Sequence, residues 1–161
     1  MSTQSPKPVD QMLPAGARVA IIAARFNAAI VDELLSGCLN RLKELGADDG
    51  SIETFRVPGA FELPVAAKLA ARTGRFAAVI CLGCVIRGDT PHFDYVAGEA
   101  ARGIQQVAIS ESLPVIFGLL TTNTEEQAQA RAGGSHSHAG ENAADAALRM
   151  IELAHRIRSA K

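Results

Sequence analysis

The chain has 161 residues, enough for one domain with a buried core; 48% of them are hydrophobic and 20% are charged. Aromatic residues make up 4% and tryptophan is absent, so the core is expected to consist mainly of Ala, Val, Ile and Leu. The formal net charge of −1 argues against a nucleic-acid-binding protein, which normally presents a basic surface.

Residues 1–14 are predicted to form a flexible or extended arm, because they are polar and rich in proline. They contain no apolar stretch of the kind found in a secretory signal. No apolar segment of the sequence is long enough to span a membrane. We therefore expect a cytoplasmic protein with a single domain at residues 15–161.

The first half of the ordered chain predicts two strands and two helices in alternation. Residues 18–24 form a continuous apolar run, which is typical of a strand buried on both faces. Apolar residues then recur at helical spacing over about 29–45, and Gly46 is predicted to end this helix. A second strand is expected at 51–57 and a second helix at about 62–73.

The second half repeats the alternation and adds a final helix. The segment Thr122-Asn123-Thr124-Glu125 is interpreted as a capping box that opens a short helix ending at about Ala132. Residues 133–140, rich in glycine, serine and histidine, are predicted to be a loop. The other predicted elements are a strand at 77–85, a helix at about 94–110, a strand at 115–120 and a helix at about 142–157.

Strands alternating with helices predict an α/β fold with a parallel sheet covered on both sides. We expect a flavodoxin-like three-layer α/β/α sandwich with strand order 2-1-3-4, because right-handed crossovers allow few other orders. In that order the winding reverses between strands 1 and 3, and ligands bind beyond the carboxyl ends of the strands at such a point. Three loops are expected to meet there: 25–27, 58–62 and 86–92.

The three cysteines are predicted to be buried thiols without a metal or redox role. Cys81 and Cys84 have CxxC spacing, but residues three apart on a strand face opposite sides of a sheet. No second CxxC is present to complete a zinc site. An odd number of cysteines, with Cys38 as the third, indicates a reducing compartment.

Two residues in the loops after the first two strands are compatible with either a binding or a structural role. Phe26 follows the first strand, where its ring could stack on a planar heterocycle or pack against the next helix. Glu62, at the start of the second helix, could bind a ligand or complement the positive end of the helix dipole.

The third loop and the fourth helix carry groups suited to an anion. Gly88-Asp89-Thr90 leads into a helix, so its N–H groups could hold a phosphate, although Asp89 would repel an anion unless it caps that helix. His92 could transfer protons near neutral pH or be an ordinary surface residue. Arg131 could bind the anion or complement the end of its own helix. These patterns predict a cleft for an anion and a ring, without naming a reaction.

Longer motifs connect these loops to a known family. They are Arg25-Phe26-Asn27, VPGAFELP at 57–64, GCVIRGDTPHFDYV at 83–96, PVIFGLLTT at 114–122, and parts of 126–133. With these motifs the chain resembles the 6,7-dimethyl-8-ribityllumazine synthase family over nearly all of its ordered length. The resemblance implies condensation of 5-amino-6-(D-ribitylamino)uracil with 3,4-dihydroxy-2-butanone 4-phosphate, using no metal or organic cofactor.

The resemblance also implies roles for particular residues. Phe26 would stack on the pyrimidine, Glu62 would hold ribityl hydroxyls, and His92 would transfer protons. Arg131 would bind the phosphate of the ketone together with the N–H groups of residues 88–90. With His92 and Arg131 as catalytic residues, the expected substrate-binding residues are Phe26, Asn27, Gly59, Ala60, Phe61, Glu62, Cys84, Val85, Ile86, Gly88, Asp89, Thr90 and Phe117.

A homopentamer with active sites between its subunits is a further implication of the resemblance. Phe117 and Arg131 would reach into the cleft of the adjacent chain, and the N-terminal arm would add a strand to a neighbour's sheet. Members of the family stop at a pentamer, pair two pentamers or build an icosahedral shell. The loop 133–140 has no long insertion, which favours a shell or a free pentamer over a paired decamer.

The loop 133–140 departs from the family pattern, in which many relatives carry two lysines. Ser135 and Ala139 stand where those lysines would be. Phosphate binding is then expected to depend more on Arg131, with help from a protonated His136 or His138. This hypothesis predicts that substrate affinity falls as the pH rises through the titration range of histidine, and that substituting both histidines by alanine removes the dependence.

Other function classes fit the sequence less well. A relative that only binds or contains a flavin would not need Phe26, Glu62, His92 and Arg131 together. A flavodoxin would need a phosphate loop rich in serine and threonine after the first strand, and residues 25–28 are not one. A signalling receiver domain would need acidic residues at the ends of strands 1 and 3, which are absent. An enzyme is therefore predicted.

Overall fold

The computed structural model of the chain describes residues 12–160. The predicted arm at 1–14, and the extra strand expected from it, therefore lie almost entirely outside the described residues. Leu13 donates its backbone N–H to the carbonyl oxygen of Leu45 at 2.6 Å and packs against Leu148. The chain thus enters the fold beside the end of the first helix.

The four strands form one parallel sheet and are β1 (Val19–Ala24), β2 (Ile52–Val57), β3 (Ala78–Ile86) and β4 (Val115–Thr122). Their order across the sheet is β2-β1-β3-β4, which confirms the predicted order. Val19 of β1 lies opposite Ile52 on one side and Ala78 on the other. β1 and most of β3 are completely buried, because parallel strands are covered on both faces and continuous apolar runs suit that position.

The helices are α1 (Ala28–Glu44), α2 (Leu63–Arg72), α3 (His92–Glu111), α4 (Glu125–Gln129) and α5 (Ala139–Ser159), with a 3-10 turn (Ala60–Glu62) before α2. Two helices begin earlier than predicted, α3 at His92 rather than 94 and α5 at Ala139 rather than 142. Within residues 12–160, none of these helices combines the length and the hydropathy needed to cross a membrane.

Each face of the sheet is covered by a pair of helices, which confirms the three-layer sandwich. α1 and α5 pack on the face that contains Ile21, whereas α2 and α3 pack on the face that contains Ile22. Neighbouring residues of a strand serve different cores because their side chains alternate between the two faces. Both cores consist mainly of small aliphatic side chains.

Glycines end the first two long helices, as predicted for Gly46. Gly46 follows α1 with a φ of 87°, and Gly74 follows α2 with a φ of 67°. Both values lie in the left-handed region, where a side chain would be strained and glycine is not. The chain can therefore reverse at these points and enter the next strand.

The predicted capping box of α4 is wrong in its position. The N-cap is Thr124, whose hydroxyl accepts the N–H of Gln127 at 3.3 Å, while the Gln127 side chain accepts the N–H of Asn123 at 3.0 Å. Thr122 belongs instead to β4, and its hydroxyl donates to the carbonyl oxygen of Thr124 at 2.9 Å. The segment Thr124–Gln127 satisfies the same pattern, since glutamine can replace glutamate in it. α4 also ends at Gln129, before the predicted Ala132.

The three cysteines are buried, and Cys81 and Cys84 belong to opposite cores. Their separation follows from the alternation of side chains along β3. Burial raises the pKa of the Cys38 and Cys81 thiols to about 12 and that of Cys84 to about 11. These thiols therefore stay protonated and unreactive at neutral pH.

Candidate active site

A cleft of about 720 Å³ opens at the carboxyl ends of β1, β2 and β3. It is lined by the loop after β1, by the 3-10 turn after β2, and by the end of β3 with the loop that follows. This is the point at which the winding of the sheet reverses, and the three loops expected to meet there do so. Most of the predicted site residues line this cleft, and Asp89, Phe117 and Arg131 are the exceptions.

Phe26 lies at the mouth of the cleft, directly after β1. Its side chain is 71% exposed, so it does not pack into the core beside the helix that follows. The backbone N–H of Phe26 donates to the carbonyl oxygen of Pro58 at 3.1 Å, which ties the loop after β1 to the loop after β2. One flat apolar face is thus available at a fixed position, as stacking on a planar ring requires.

Asn27 joins the loop after β1 to the end of β3. Its φ of 56° and ψ of 46° place it in the left-handed region, which asparagine tolerates better than most residues. Its side-chain amide donates to the carbonyl oxygen of Cys84 at 2.9 Å. The turn from β1 into α1 and the end of β3 are therefore held together across the floor of the cleft.

Glu62 lines the cleft at the end of the 3-10 turn. One of its carboxylate oxygens accepts the backbone N–H of Gly59 at 2.9 Å, which closes the turn. The second oxygen is left for a ligand, so the structural and the binding role considered for this residue are compatible. Ala60 and Phe61 lie between these two residues and also line the cleft.

An ion pair bridges the loop between β3 and α3. The guanidinium of Arg87 donates to the carboxylate of Asp94 at 2.8 and 3.3 Å, and it lies 4.1 Å from the ring centre of Phe93. This hydrogen-bonded contact lowers the pKa of Asp94 and raises that of Arg87. The backbone N–H of Arg87 donates to the carbonyl oxygen of Thr122 at 2.9 Å, which holds the start of this loop. The loop that precedes His92 is thus fastened at both ends.

His92 is the first residue of α3, is exposed, and lines the cleft. Gly88 and Thr90 of the preceding loop line it too, so their backbones lie beside the start of a long helix. Asp89 is exposed, lies outside the lining, and does not cap α3; the backbone N–H of His92 donates instead to the hydroxyl oxygen of Thr90 at 3.5 Å. A helix N-terminus of this kind favours an anion.

Phe117 and Arg131 do not reach the cleft of their own chain. Phe117 is 47% exposed on β4, at the far edge of the sheet. Arg131 follows α4, and its guanidinium donates to the carbonyl oxygen of Gln127 at 2.8 Å. Both residues are thus presented away from the cleft that the other predicted residues line.

Four residues line the cleft without having been predicted as site residues: Pro58, which lies in the expected loop 58–62, and Phe93, Tyr95 and Val96. Helical spacing could have identified two of them. Tyr95 and Val96 follow His92 by three and four positions, and residues at that spacing share one face of a helix. The late predicted start of α3 concealed this relation, because His92 was expected to precede the helix.

The histidines of the loop 133–140 have different surroundings. His138 is the N-cap of α5, and its Nδ1 accepts the N–H of Gly140 at 3.3 Å. His136 is exposed, and its Nδ1 lies 3.0 Å from the hydroxyl of Ser135. An imidazole nitrogen that accepts a hydrogen bond carries no proton, so the capping arrangement of His138 and a phosphate-binding cation at this residue exclude each other.

Comparison with known proteins identifies similar sequences over most of the chain. A family model described as 6,7-dimethyl-8-ribityllumazine synthase matches residues 16–155. A protein of that name from Desulfatibacillum aliphaticivorans is 49% identical over 150 residues, which covers 92% of this chain and 97% of that protein. Another of the same name, from Coxiella burnetii, is 49% identical over 136 residues, which covers 84% of this chain and 90% of its own.

Proposed function

The chain belongs to the 6,7-dimethyl-8-ribityllumazine synthase family, and we propose that the cleft at the ends of β1, β2 and β3 is its active site. The enzyme is a transferase that condenses 5-amino-6-(D-ribitylamino)uracil with 3,4-dihydroxy-2-butanone 4-phosphate. The product is 6,7-dimethyl-8-ribityllumazine, the penultimate compound of riboflavin biosynthesis, and phosphate and water are released. The observation that carries the assignment of the site is the presence of Phe26, Glu62 and His92 in one cleft.

The pyrimidine binds on the exposed face of Phe26. The ring edges and the start of the ribityl chain are held by backbone groups around Asn27, Ala60, Val85 and Ile86, all of which line the cleft. Glu62 receives hydrogen bonds from ribityl hydroxyls through the carboxylate oxygen that does not close the turn at Gly59. Support for this orientation comes from the side-by-side arrangement of a flat apolar face and polar backbone in the same cleft.

The phosphate of the ketone binds at the N-terminus of α3. Gly88 and Thr90 line the cleft directly before α3, so the N–H groups of residues 88–90 would bind the anion together with the partial positive charge of that helix start. Arg131 of a neighbouring chain completes the site, because a guanidinium binds phosphate through paired hydrogen bonds. With a net charge of −1 for the whole chain, these local groups are what attracts the anion.

His92 transfers protons during the condensation. The 5-amino group of the pyrimidine attacks the ketone carbonyl, and a first water leaves to give an imine. Removal of the proton on the neighbouring hydroxyl-bearing carbon then expels phosphate, and the resulting enol becomes a methyl ketone. The ribitylamino nitrogen attacks this new carbonyl, and loss of a second water completes the ring. Each of these steps moves a proton at an atom beside His92, which is exposed to the cleft. Holding the two substrates in register contributes much of the rate gain, since it replaces an encounter between two molecules.

The active protein is a homo-oligomer built of pentamers and located in the cytoplasm. Phe117 and Arg131 lie outside the cleft of their own chain, which supports a site completed by a neighbour. β2 has a strand partner on one side within residues 12–160, so its outer edge offers hydrogen bonds to the arm of another subunit. Three buried thiols without a disulfide suit a reducing compartment.

The function is tested by mixing the purified protein with both substrates and following product absorbance and fluorescence. We expect wild-type protein to form product far above the uncatalysed rate, and His92→Ala to lower kcat by about 100-fold, typical of the loss of a proton-transfer group. His155→Ala, which removes an exposed histidine of α5 away from the cleft, is the matched control and should keep full activity. A wild-type rate equal to the background would mean that the cleft only binds its ligands.

Assembly is tested by sedimentation and by mixing two impaired variants. A pentamer should sediment at five times the chain mass of 16.9 kDa, and a shell at a far larger mass. Subunits of His92→Ala and Arg131→Ala, unfolded and refolded together, should regain activity, because some mixed interfaces then hold an intact His92 and an intact Arg131. A mixture that stays as inactive as its two components would contradict a site shared between chains.

A further inference from the structure

The segment between α4 and α5 is folded tightly against itself. The N–H of Ala139 donates to the carbonyl oxygen of Arg131 at 2.8 Å, and the N–H of His136 donates to that of Ala130 at 3.0 Å. Ala132 and His138 also form an isolated antiparallel bridge. The backbone of Arg131 is therefore tied to the first residues of α5, and its position depends on how that helix start is held.

The imidazole of His138 holds this helix start in two ways. Its Nδ1 accepts the N–H of Gly140 and caps α5. Its ring lies directly against α1 at Gly37, where a Cβ atom would come within 2.1 Å of two ring atoms. Gly37 is thus the place on α1 that admits the ring, and an alanine there would push it out.

α1 and α5 pack so closely that the ring of His138 has little room for another position. A Cβ atom at Gly140 would lie 2.0 Å from the carbonyl oxygen of Leu34, so the two helices touch backbone to backbone. α1 itself is anchored in the core by Val31, Leu34 and Cys38, which are completely buried. His138 therefore fastens a polar loop, otherwise exposed over residues 133–137, to a rigid part of the molecule.

From these contacts we infer that His138 is a positioning residue for Arg131: it fixes the loop that presents the guanidinium to the phosphate of the ketone. The inference rests on the proposed role of Arg131 in phosphate binding. It differs from a direct role of His138, because the nitrogen that caps α5 is an acceptor and the ring packs on α1 rather than facing a ligand.

The experiment compares the steady-state constants of the variants His138→Ala, Arg131→Ala and the double variant. We expect His138→Ala to raise the KM of the ketone phosphate by about tenfold, since a misplaced binding group loses much of its effect. The KM of the pyrimidine should stay within about twofold, because Phe26 and Glu62 are held by other loops. In the Arg131→Ala background, His138→Ala should add no further increase, since a group that acts through Arg131 has nothing left to position.

Two substitutions separate capping from packing and keep the test valid if His138→Ala does not fold. His138→Phe keeps a flat ring for the space at Gly37 but offers Gly140 no acceptor, and should raise the KM of the ketone phosphate as His138→Ala does. His138→Asn keeps a capping acceptor and should remain within about threefold of wild type. The matched control is His155→Ala, which removes an exposed histidine of α5 away from the cleft and should change neither KM.

Each outcome decides between the roles. If Arg131→Ala leaves the KM of the ketone phosphate unchanged, the proposed role of Arg131 is wrong and the inference falls with it. If Arg131→Ala raises that KM but the folded His138→Phe and His138→Ala proteins do not, Arg131 keeps its role and the inference alone is overturned. If His138→Ala raised the KM of the ketone phosphate by the same factor in the Arg131→Ala background as in wild type, the inference would also be overturned, since His138 would then act on the phosphate without Arg131.

Discussion

Asn27 shows how one backbone conformation determines what a neighbouring side chain can do. Its left-handed φ turns the chain sharply out of β1, and Phe26, directly before this turn, remains 71% exposed instead of entering the core. The Asn27 amide then holds the turn to the end of β3 through Cys84. At the scale of single residues, the exposure of Phe26, and with it the proposed stacking surface, is therefore a product of a strained turn and of one side-chain hydrogen bond.

The proposed stacking predicts that Phe26→Ala raises the KM of the pyrimidine by about tenfold, since stacking a base on an aromatic ring is worth about 1–3 kcal/mol. Phe26→Tyr should stay near the wild-type value, because it keeps the flat ring. Steady-state kinetics with varied pyrimidine measures both, and the KM of the ketone phosphate serves as the internal control. Equal increases in both KM values would indicate a damaged loop, not a lost stacking surface.

Two substitutions at Asn27 separate the effects of its left-handed backbone conformation and of its side-chain hydrogen bond on the free energy of unfolding. Asn27→Gly keeps the left-handed turn free of strain and loses the hydrogen bond to Cys84, so the free energy of unfolding should fall by about 1 kcal/mol. Asn27→Ala also places a less tolerant residue at a φ of 56°, and should cost about 1 kcal/mol more. Urea denaturation measures the difference. An alanine variant as stable as the glycine variant would show that the turn carries no strain.

At the scale of elements, the starts of α3 and α5 do more for the proposed site than the helix bodies. α3 begins at His92 next to the cleft, and the N–H of His92 makes one long hydrogen bond, of 3.5 Å, to the hydroxyl of Thr90, while the N-cap residue Pro91 supplies no side-chain cap. α5 begins with a capped and tightly packed turn that approaches α1 through Gly140. A helix start that is accessible from the cleft can bind a ligand, whereas one that is capped and tightly packed can hold a loop in place.

The close approach of α5 to α1 predicts opposite effects for two glycine-to-alanine substitutions in helices. Gly140→Ala should lower the free energy of unfolding by at least about 2 kcal/mol, because its Cβ would overlap the carbonyl oxygen of Leu34. Gly98→Ala, at an exposed position of α3, meets no atom within 4 Å and should raise it by up to about 1 kcal/mol. Denaturation midpoints test both. A harmless Gly140→Ala would mean that the two helices separate easily.

The layers and the strand order could be predicted from the sequence because continuous apolar runs and helical spacing are local patterns. The place of the cleft followed from that order. The bonds that shape it could not be predicted, since Asn27 and Cys84 are far apart in the chain and meet only through packing. The same holds for the ring of His138 on Gly37. The position of the α4 cap was missed for a local reason, because two overlapping segments satisfy the same pattern.

For the whole molecule, the two cores on either side of the sheet contain all three cysteines; Cys38 and Cys81 are completely buried, and Cys84 is 2% exposed where it lines the cleft. Native protein at about pH 8 should therefore react with a disulfide reagent far more slowly than a free thiol does. After denaturation in guanidinium, all three thiols should react at once. Absorbance of the released thiolate follows both reactions. Fast modification of native protein would show that the cores open readily.

Because these thiols are buried, the free energy of unfolding should fall as the pH becomes alkaline. The folded-state pKa values of Cys38 and Cys81, about 12, lie above the 9.0 of an unperturbed thiol, so the unfolded chain loses these protons first. The stabilising effect is complete below pH 9.0 and is lost progressively as the pH rises toward about 12. Cys38→Ala should therefore show a shallower fall of the free energy of unfolding above pH 9.0 than wild type. If the free energies of unfolding of wild type and Cys38→Ala fell in parallel above pH 9.0, the Cys38 thiol would not contribute to this pH dependence.

The position of Tyr95 has an optical consequence. The chain holds one tyrosine and no tryptophan, and that tyrosine lines the cleft with 70% of its side chain exposed. Apart from the weak emission of phenylalanine, the intrinsic ultraviolet fluorescence of the protein therefore originates at the cleft. A heterocycle bound on Phe26 would absorb that emission at short range and quench it. Ligand titrations can thus be recorded on the unmodified protein, without a label and without turnover.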